Sequence, residues 1–166
     1  MKNHYLVLMR HAKSSWEDES ISDFDRPLND RGRISAPLIR SWFDSQSIVP
    51  ECVLCSTAKR AQQTAELVRG DWPLPYRQKD LQELYLASPN AILDAIRTHG
   101  PADAKTLLVI GHNPGLEILA SMLSGQAIEM PTAAVAVFQV PQKIAWSLDL
   151  SERQAKLEHF IVPRSI

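Results

Sequence analysis

Tyr5 to Met9 are five apolar residues in a row between polar neighbours, too few for a membrane span, and they predict a strand buried on both faces of a sheet. Cys52 to Ser56 predicts a second buried strand, and the run from Thr106 to Ile110 a third. Between them lie helical patterns. Asn29 or Asp30 can cap a helix running to about Phe43, with Ile34, Leu38, Ile39, Trp42 and Phe43 as its apolar stripe. Pro37 lies beyond the first turn of that helix and predicts either a kink or a late start nearer Ser35. Ser56 or Thr57 can cap a second helix, in which Ala61, Thr64, Ala65, Leu67 and Val68 allow close packing. Ser88-Pro89 opens a third, with Ile92, Leu93 and Ile96 inside, that stops at Gly100-Pro101. A fourth follows from about Leu116 to Leu123.

The remaining segments are less regular. Trp16 to Asp25 is polar and acidic, as a surface loop would be, and Gly70 to Pro89 is broken by Pro73, Pro75 and Pro89 with room for a short strand near Leu74 to Gln78. Val135, Val137 and Val140, then Trp146 to Leu150 and Leu157 to Val162, predict late antiparallel strands at the sheet edge. The fold class is therefore α/β, three-layered, with a mostly parallel central sheet, helices on both faces and an antiparallel edge strand.

Composition narrows the function. At 166 residues, 45% hydrophobic, the chain fits one domain over 1–166. Its 18 basic and 19 acidic residues are spread without blocks, which speaks against a nucleic-acid partner. With no signal pattern and no apolar run of bilayer length, no membrane partner and a cytoplasmic location are expected. Cys52-Val53-Leu54-Cys55 has redox or zinc spacing, but residues three apart on a strand point to opposite faces, so two buried thiols are expected.

The chemistry sits at strand ends. Ligands of open α/β sheets bind outside the carboxyl ends of the strands, and the first strand ends in Arg10, His11 and Lys13 among the small residues Ala12, Ser14 and Ser15. A cation, an imidazole and a free backbone turn suit an anion. Arg10-His11 resembles the Arg-His-Gly signature of the histidine phosphatase superfamily, with Ala12 where most members have Gly, so the turn there should not need a positive φ. The resemblance is closest to the phosphohistidine phosphatase branch called SixA and covers roughly Tyr5 to Val140, which implies a phosphoglycerate mutase-like fold. Arg60-Ala61-x-x-Thr64-Ala65 resembles the second phosphate-binding arginine, and Gly111-His112-Asn113-Pro114-Gly115 the second histidine. Arg26-Pro27-Leu28, with Asp23 three residues earlier, resembles a SixA feature near the phosphate pocket, although Arg26 could equally anchor its own loop. Glu83 corresponds to a region where larger members carry a proton-donating acid. A pocket-lining role is preferred for it here, with proton donor second. His4, His99 and His159 lie outside every motif.

Phosphoryl transfer asks for charge stabilisation on three equatorial oxygens and an in-line nucleophile. His11 is the expected nucleophile, Arg10 and Arg60 the clamps, His112 a further donor, and Arg26, Asp23, Lys13 and Glu83 substrate-binding groups. No metal and no cofactor are expected, since arginines supply the charge and no carboxylate cluster offers magnesium a site. The substrate expected is phosphohistidine on a protein, perhaps a phosphorelay domain, because the segment before Pro89 is too short for a deep cover and phosphohistidine has a good leaving group. The alternatives are a phosphomonoesterase for small metabolites, a less favoured mutase, a non-catalytic phosphohistidine-binding module and, most distantly, a metal hydrolase using His11 and His112.

Overall fold

A computed structural model describes residues 3–73, 77–151 and 153–166. Among these residues, ten principal elements follow in the order β1 (Asn3–Arg10), α1 (Asp30–Ser45), β2 (Cys52–Ser56), α2 (Lys59–Arg69), β3 (Arg77–Leu81), α3 (Pro89–His99), β4 (Thr106–Gly111), α4 (Gly115–Ser124), β5 (Val135–Pro141) and β6 (Lys156–Ile161). Six strands form one sheet in the order β3-β2-β4-β1-β5-β6. The first four are parallel, whereas β5 and β6 are antiparallel to their neighbours.

Each central strand is buried on both faces because its side chains alternate between two cores. Leu6 and Leu8 of β1, with Leu107 and Val109 of β4, face α3 and α4; Val7, Met9, Leu108 and Ile110 face α1 and α2. The fold is thus the expected three-layered α/β sandwich. Cys52 and Cys55 enter opposite cores as free thiols, so the Cys-x-x-Cys spacing builds nothing. Among the described residues no helix is long and apolar enough to cross a membrane.

Several local expectations change. Helix α1 starts at Asp30, with Asn29 Oδ1 accepting from Gly32 N at 3.0 Å, and continues through Pro37 to Ser45, so there is no late start at Ser35. Its buried stripe runs through Gly32, Ala36, Ile39, Trp42 and Phe43, leaving Ile34 and Leu38 exposed, because small residues bring the helix close to the sheet. The α2 N-cap is Ala58, neither Ser56 nor Thr57. The strand expected near Leu74 to Gln78 lies partly outside the described residues, and β3 is described from Arg77. Trp146 to Leu150 is no strand. Trp146 and Leu148 are buried alternately with exposed Ser147, as in a strand, but Trp146 Nε1 donates to Pro101 O (2.8 Å) and Arg97 Nε to Leu148 O (3.0 Å), leaving the segment against the end of α3.

Candidate active site

Sheet order brings distant motifs together. Arg10 of β1 lies opposite Gly111 of β4, and Ile110 opposite Cys55 of β2, so His11, His112 and Ser56 emerge side by side at three strand ends. His11 N donates to Gly111 O at 3.1 Å, and the two imidazole centroids are 5.1 Å apart. Thr64 Oγ1 ties α2 to this turn, accepting from Ala12 N (3.0 Å) and donating to Arg60 O (2.7 Å). Ala12 is fully buried and outside the positive-φ residues, so the turn accepts an alanine. Gly115 is required at the start of α4: a Cβ there would fall 1.9 Å from Ala87 O, which seats the His112 turn against the chain following Tyr85.

Arg60 reaches both rings. Its Nε donates to His11 Nε2 at 3.2 Å and its Nη2 to His112 Nδ1 at 3.3 Å. A guanidinium has no lone pair to offer, so each of these ring nitrogens must be the acceptor. The proton of His11 therefore sits on Nδ1, 2.7 Å from Ala12 O. That of His112 sits on Nε2, 2.7 Å from Ser56 Oγ. One buried cation fixes both tautomers.

Both imidazoles are neutral near pH 7. Burial, foremost, pushes His11 down to about 3, against the opposing hydrogen bond to Ala12 O, and the neighbouring His112, Arg60 and Arg10 add to the depression in that order. Burial and then Arg60 push His112 down to about 4, with Asp23 working in the other direction.

The remaining cations converge on the same cavity, about 250 Å³ in volume, which Arg10, His11, Lys13, Asp23, Arg26, Arg60 and His112 all line. Arg10 Nη1 donates to Met130 O (3.1 Å), while its buried Nε has no acceptor among the described residues, which fits an anionic guest. Arg26 plays both expected parts: Nη1 donates to Ser14 Oγ (2.6 Å) and Ser15 O (3.2 Å), anchoring the loop, and the side chain lies on the cavity under Trp16. Asp23 bridges the arginines, accepting from Arg26 Nη2 and Arg60 Nη2 at 3.0 Å each, and also from the Tyr85 hydroxyl. Partial burial raises the Asp23 carboxyl, but the Tyr85, Arg26 and Arg60 hydrogen bonds outweigh it and hold the group down to about 2.

Glu83 does not line the cavity. It belongs to a 3-10 turn, Gln82–Leu84, that sends Leu84 into the core and Glu83 outward to His99 Nε2 at 3.3 Å. Tyr85 takes the place beside the histidines, its ring edge-on to His112 with centroids 5.3 Å apart. Sequence reasoning also missed Ser56, which it used only as a strand end and candidate helix cap, and Asn113, which lies inside the second histidine motif and lines the cavity. Among the described residues no three His, Cys, Asp or Glu side chains are placed to hold a metal.

The sequence pattern of the histidine phosphatase superfamily (branch 1) matches residues 6–90. An uncharacterized protein of Mycobacterium tuberculosis is 36% identical over 94% of this chain and its own full length. The phosphohistidine phosphatase SixA of Escherichia coli is 33% identical over 79% of this chain and 82% of that protein. A solved structure of the protein histidine phosphatase SixA complexed with tungstate shares the fold, with a TM-score of 0.81 at 23% identity over 97% of this chain and 98% of that one. With two strand-end histidines and the guanidinium groups of Arg10 and Arg60 around one cavity, the chain belongs to the histidine phosphatase superfamily and is a phosphatase.

Proposed function

We propose that the protein hydrolyses phosphohistidine on a polypeptide, through a covalent phosphohistidine on its own His11. The observation that carries the reading is the state of His11: neutral, with Nδ1–H on Ala12 O and the Nε2 lone pair directed at buried cations. Such an imidazole is a ready nucleophile. An incoming phosphoryl group takes Arg60 Nε away from His11 Nε2 and accepts from Arg10, Arg26 and Arg60. The Nε2 lone pair forms the new P–N bond as the substrate P–N bond breaks, and its electron pair returns to the departing imidazole. Water then attacks the phosphorus, phosphate leaves, and His11 recovers its lone pair.

The leaving group decides the substrate class. An alkoxide needs a proton, yet Asp23, held down to about 2, is an anion at neutral pH and Glu83 faces His99. A substrate imidazole protonated at its other ring nitrogen leaves as the neutral ring, without a dedicated carboxylic acid. Two exposed apolar side chains, Trp16 (72%) and Leu86 (55%), border the otherwise polar cavity and offer a polypeptide a contact. Leu86 is held at φ 49°, a conformation that costs a branched side chain about 1 kcal/mol and is commonly kept at functional sites. The name of the Escherichia coli relative supports the same substrate.

The test is a rapid quench with labelled phosphoimidazole in EDTA. Acid-labile, base-stable label on His11 is expected; turnover with no label there, at quench times shorter than one turnover, overturns the covalent route. Faster hydrolysis of phosphomonoesters than of phosphohistidine peptides overturns the substrate while leaving the nucleophile in place.

A further inference from the structure

A second cavity, about 190 Å³, adjoins the catalytic one and shares Lys13 and Thr132 with it. Three cations line it, each from a different part of the chain: Lys13 from the turn after β1, Arg31 from the first turn of α1, and Arg164 from the C-terminal 3-10 turn Pro163–Ser165. Gly32 makes the assembly close. Its Cβ, if present, would lie 2.2 Å from Lys13 O, and Asn29 N donates to that same carbonyl at 3.0 Å, so the start of α1 rests directly on the Lys13 turn.

These cations have no ion-pair partner among the described residues, although Arg164 also borders a cleft that holds Glu117 and Glu129. Among the described residues, none of the three side chains makes an ion pair or hydrogen bond, whereas Arg33, Arg40, Arg77 and Arg97 each pair with an aspartate. The chain as a whole carries a net charge of −1, so the cluster stands out against a nearly neutral background. Like charges gathered in a cleft raise the local concentration of the opposite charge. Ser35 and Thr132 add hydroxyls, and Pro131, Val162 and Pro163 give the cleft apolar walls.

We propose that this cleft is a second substrate subsite, which takes Asp or Glu side chains flanking the phosphohistidine of an acidic polypeptide segment. The inference rests on the phosphohistidine reading above and narrows it. Cations spread over three elements match carboxylates distributed along a chain, whereas one compact anion would call for converging donors of the kind that surround His11. Shared walls make the cleft continuous with the place where the phosphoryl group reacts.

The test uses the full-length protein and its Arg31→Gln/Arg164→Gln variant, neither residue lining the catalytic cavity. Two labelled peptides carry a phosphonate isostere of phosphohistidine, one flanked by Asp and Glu and the other by Asn and Gln, and binding is read by fluorescence anisotropy. Turnover of phosphoimidazole is measured in parallel. Two exposed ion pairs lost together correspond to roughly five- to ten-fold in affinity. Expected, therefore, is that the acidic peptide binds the native protein at least roughly five- to ten-fold more tightly than its amide counterpart, that salt erodes the difference, and that the double variant cuts it to about two-fold, the share left to Lys13, without changing phosphoimidazole turnover. Equal binding of the two peptides, or an acidic preference undiminished in the variant, overturns the subsite. Turnover of phosphoimidazole with neither peptide bound overturns the polypeptide occupant and leaves the phosphoramidate chemistry standing. An acidic preference cut in the variant, with no phosphoimidazole turnover, sustains the subsite and refutes the proposed reaction instead.

Discussion

Replacing Ser56 by alanine isolates the role of the second histidine. Its Oγ lies 2.7 Å from His112 Nε2 and 3.2 Å from Ala58 N, and the residue is fully buried. Because Arg60 donates to Nδ1, Nε2 carries the proton and Ser56 is its acceptor. In Ser56→Ala that N–H is left buried without a partner, at a stability cost of about 1–3 kcal/mol. The effect on catalysis has a different origin. For His112 to donate from Nδ1 to a phosphoryl oxygen it must take a second proton, and Ser56 Oγ then accepts from an imidazolium. The neutral ring already makes this bond at about 0.5–1.5 kcal/mol and the imidazolium makes it at about 1.5–3 kcal/mol, so only the difference, roughly 1–1.5 kcal/mol, acts on protonation, and its loss lowers the His112 pKa in the complex by about 1 unit. The assay is kcat for phosphoimidazole from pH 5 to 9. The alkaline limb should move about one unit toward acid, with kcat at pH values above the limb falling roughly 10-fold. Partial unfolding would lower the whole profile without moving its limb, and Ser56→Thr, which keeps an acceptor, should restore the limb. A profile of unchanged shape, with kcat within about two-fold of the native value, would refute the assignment of His112 as a doubly protonated donor.

Stability should fall in acid. The folded pKa values of His11 and His112 are depressed, to about 3 and about 4, from an ordinary 6.5, so the unfolded chain binds more protons. Their contribution is complete above about pH 6.5 and is lost toward pH 4, with a slope approaching 2.7 kcal/mol per pH unit for two protons; urea melts of the native protein and His11→Gln should show that slope and about half of it, and equal slopes would contradict the depressed pKa of His11. Gly32→Ala puts a methyl 2.2 Å from Lys13 O and should cost about 1–3 kcal/mol, read from the urea midpoint, which an unmoved midpoint would disprove. Glu83→Gln should leave kcat within about two-fold, since Glu83 faces His99, whereas a loss near 100-fold would reinstate it as the proton donor.

The catalytic frame was legible because its signals are local. A buried apolar strand followed by a turn and a histidine needs no tertiary knowledge, and it occurs at both β1 and β4. Side-chain direction was less accessible. Glu83 and Tyr85 lie two residues apart around a 3-10 turn, and only the fold decides which one meets the cavity. Helix α1 misled for a related reason: its bulkiest early residues, Ile34 and Leu38, face solvent while glycine and alanine make the close contacts. Trp146 to Leu150 has the alternation of a strand without a strand neighbour to pair with, which sequence periodicity does not register. The Lys13, Arg31 and Arg164 cluster spans nearly the whole chain, so no window of sequence contains it.

Arg60 links the two protonation requirements of the site. A nucleophilic imidazole must be neutral, and burial together with the surrounding guanidinium groups keeps His11 so. The same influences depress His112, whose Nδ1 cannot donate while it accepts from Arg60. On the proposed route a bound phosphoryl group would change the second ring more than the first. Its negative charge would offset Arg60 and draw the guanidinium N–H groups toward its oxygens, freeing Nδ1 of His112 to take a proton. At His11 the freed Nε2 lone pair would be used in bond formation with phosphorus, so no proton would be gained there. Asp23 already supplies part of this charge, since its carboxylate accepts from Arg60 and Arg26 and raises the His112 pKa against the pull of the cations. A carboxylate carries one negative charge and a phosphoryl dianion two, so the ligand shifts His112 further in the direction that Asp23 has begun. On the proposed route substrate binding and the protonation of the second histidine would in this way be the same electrostatic event.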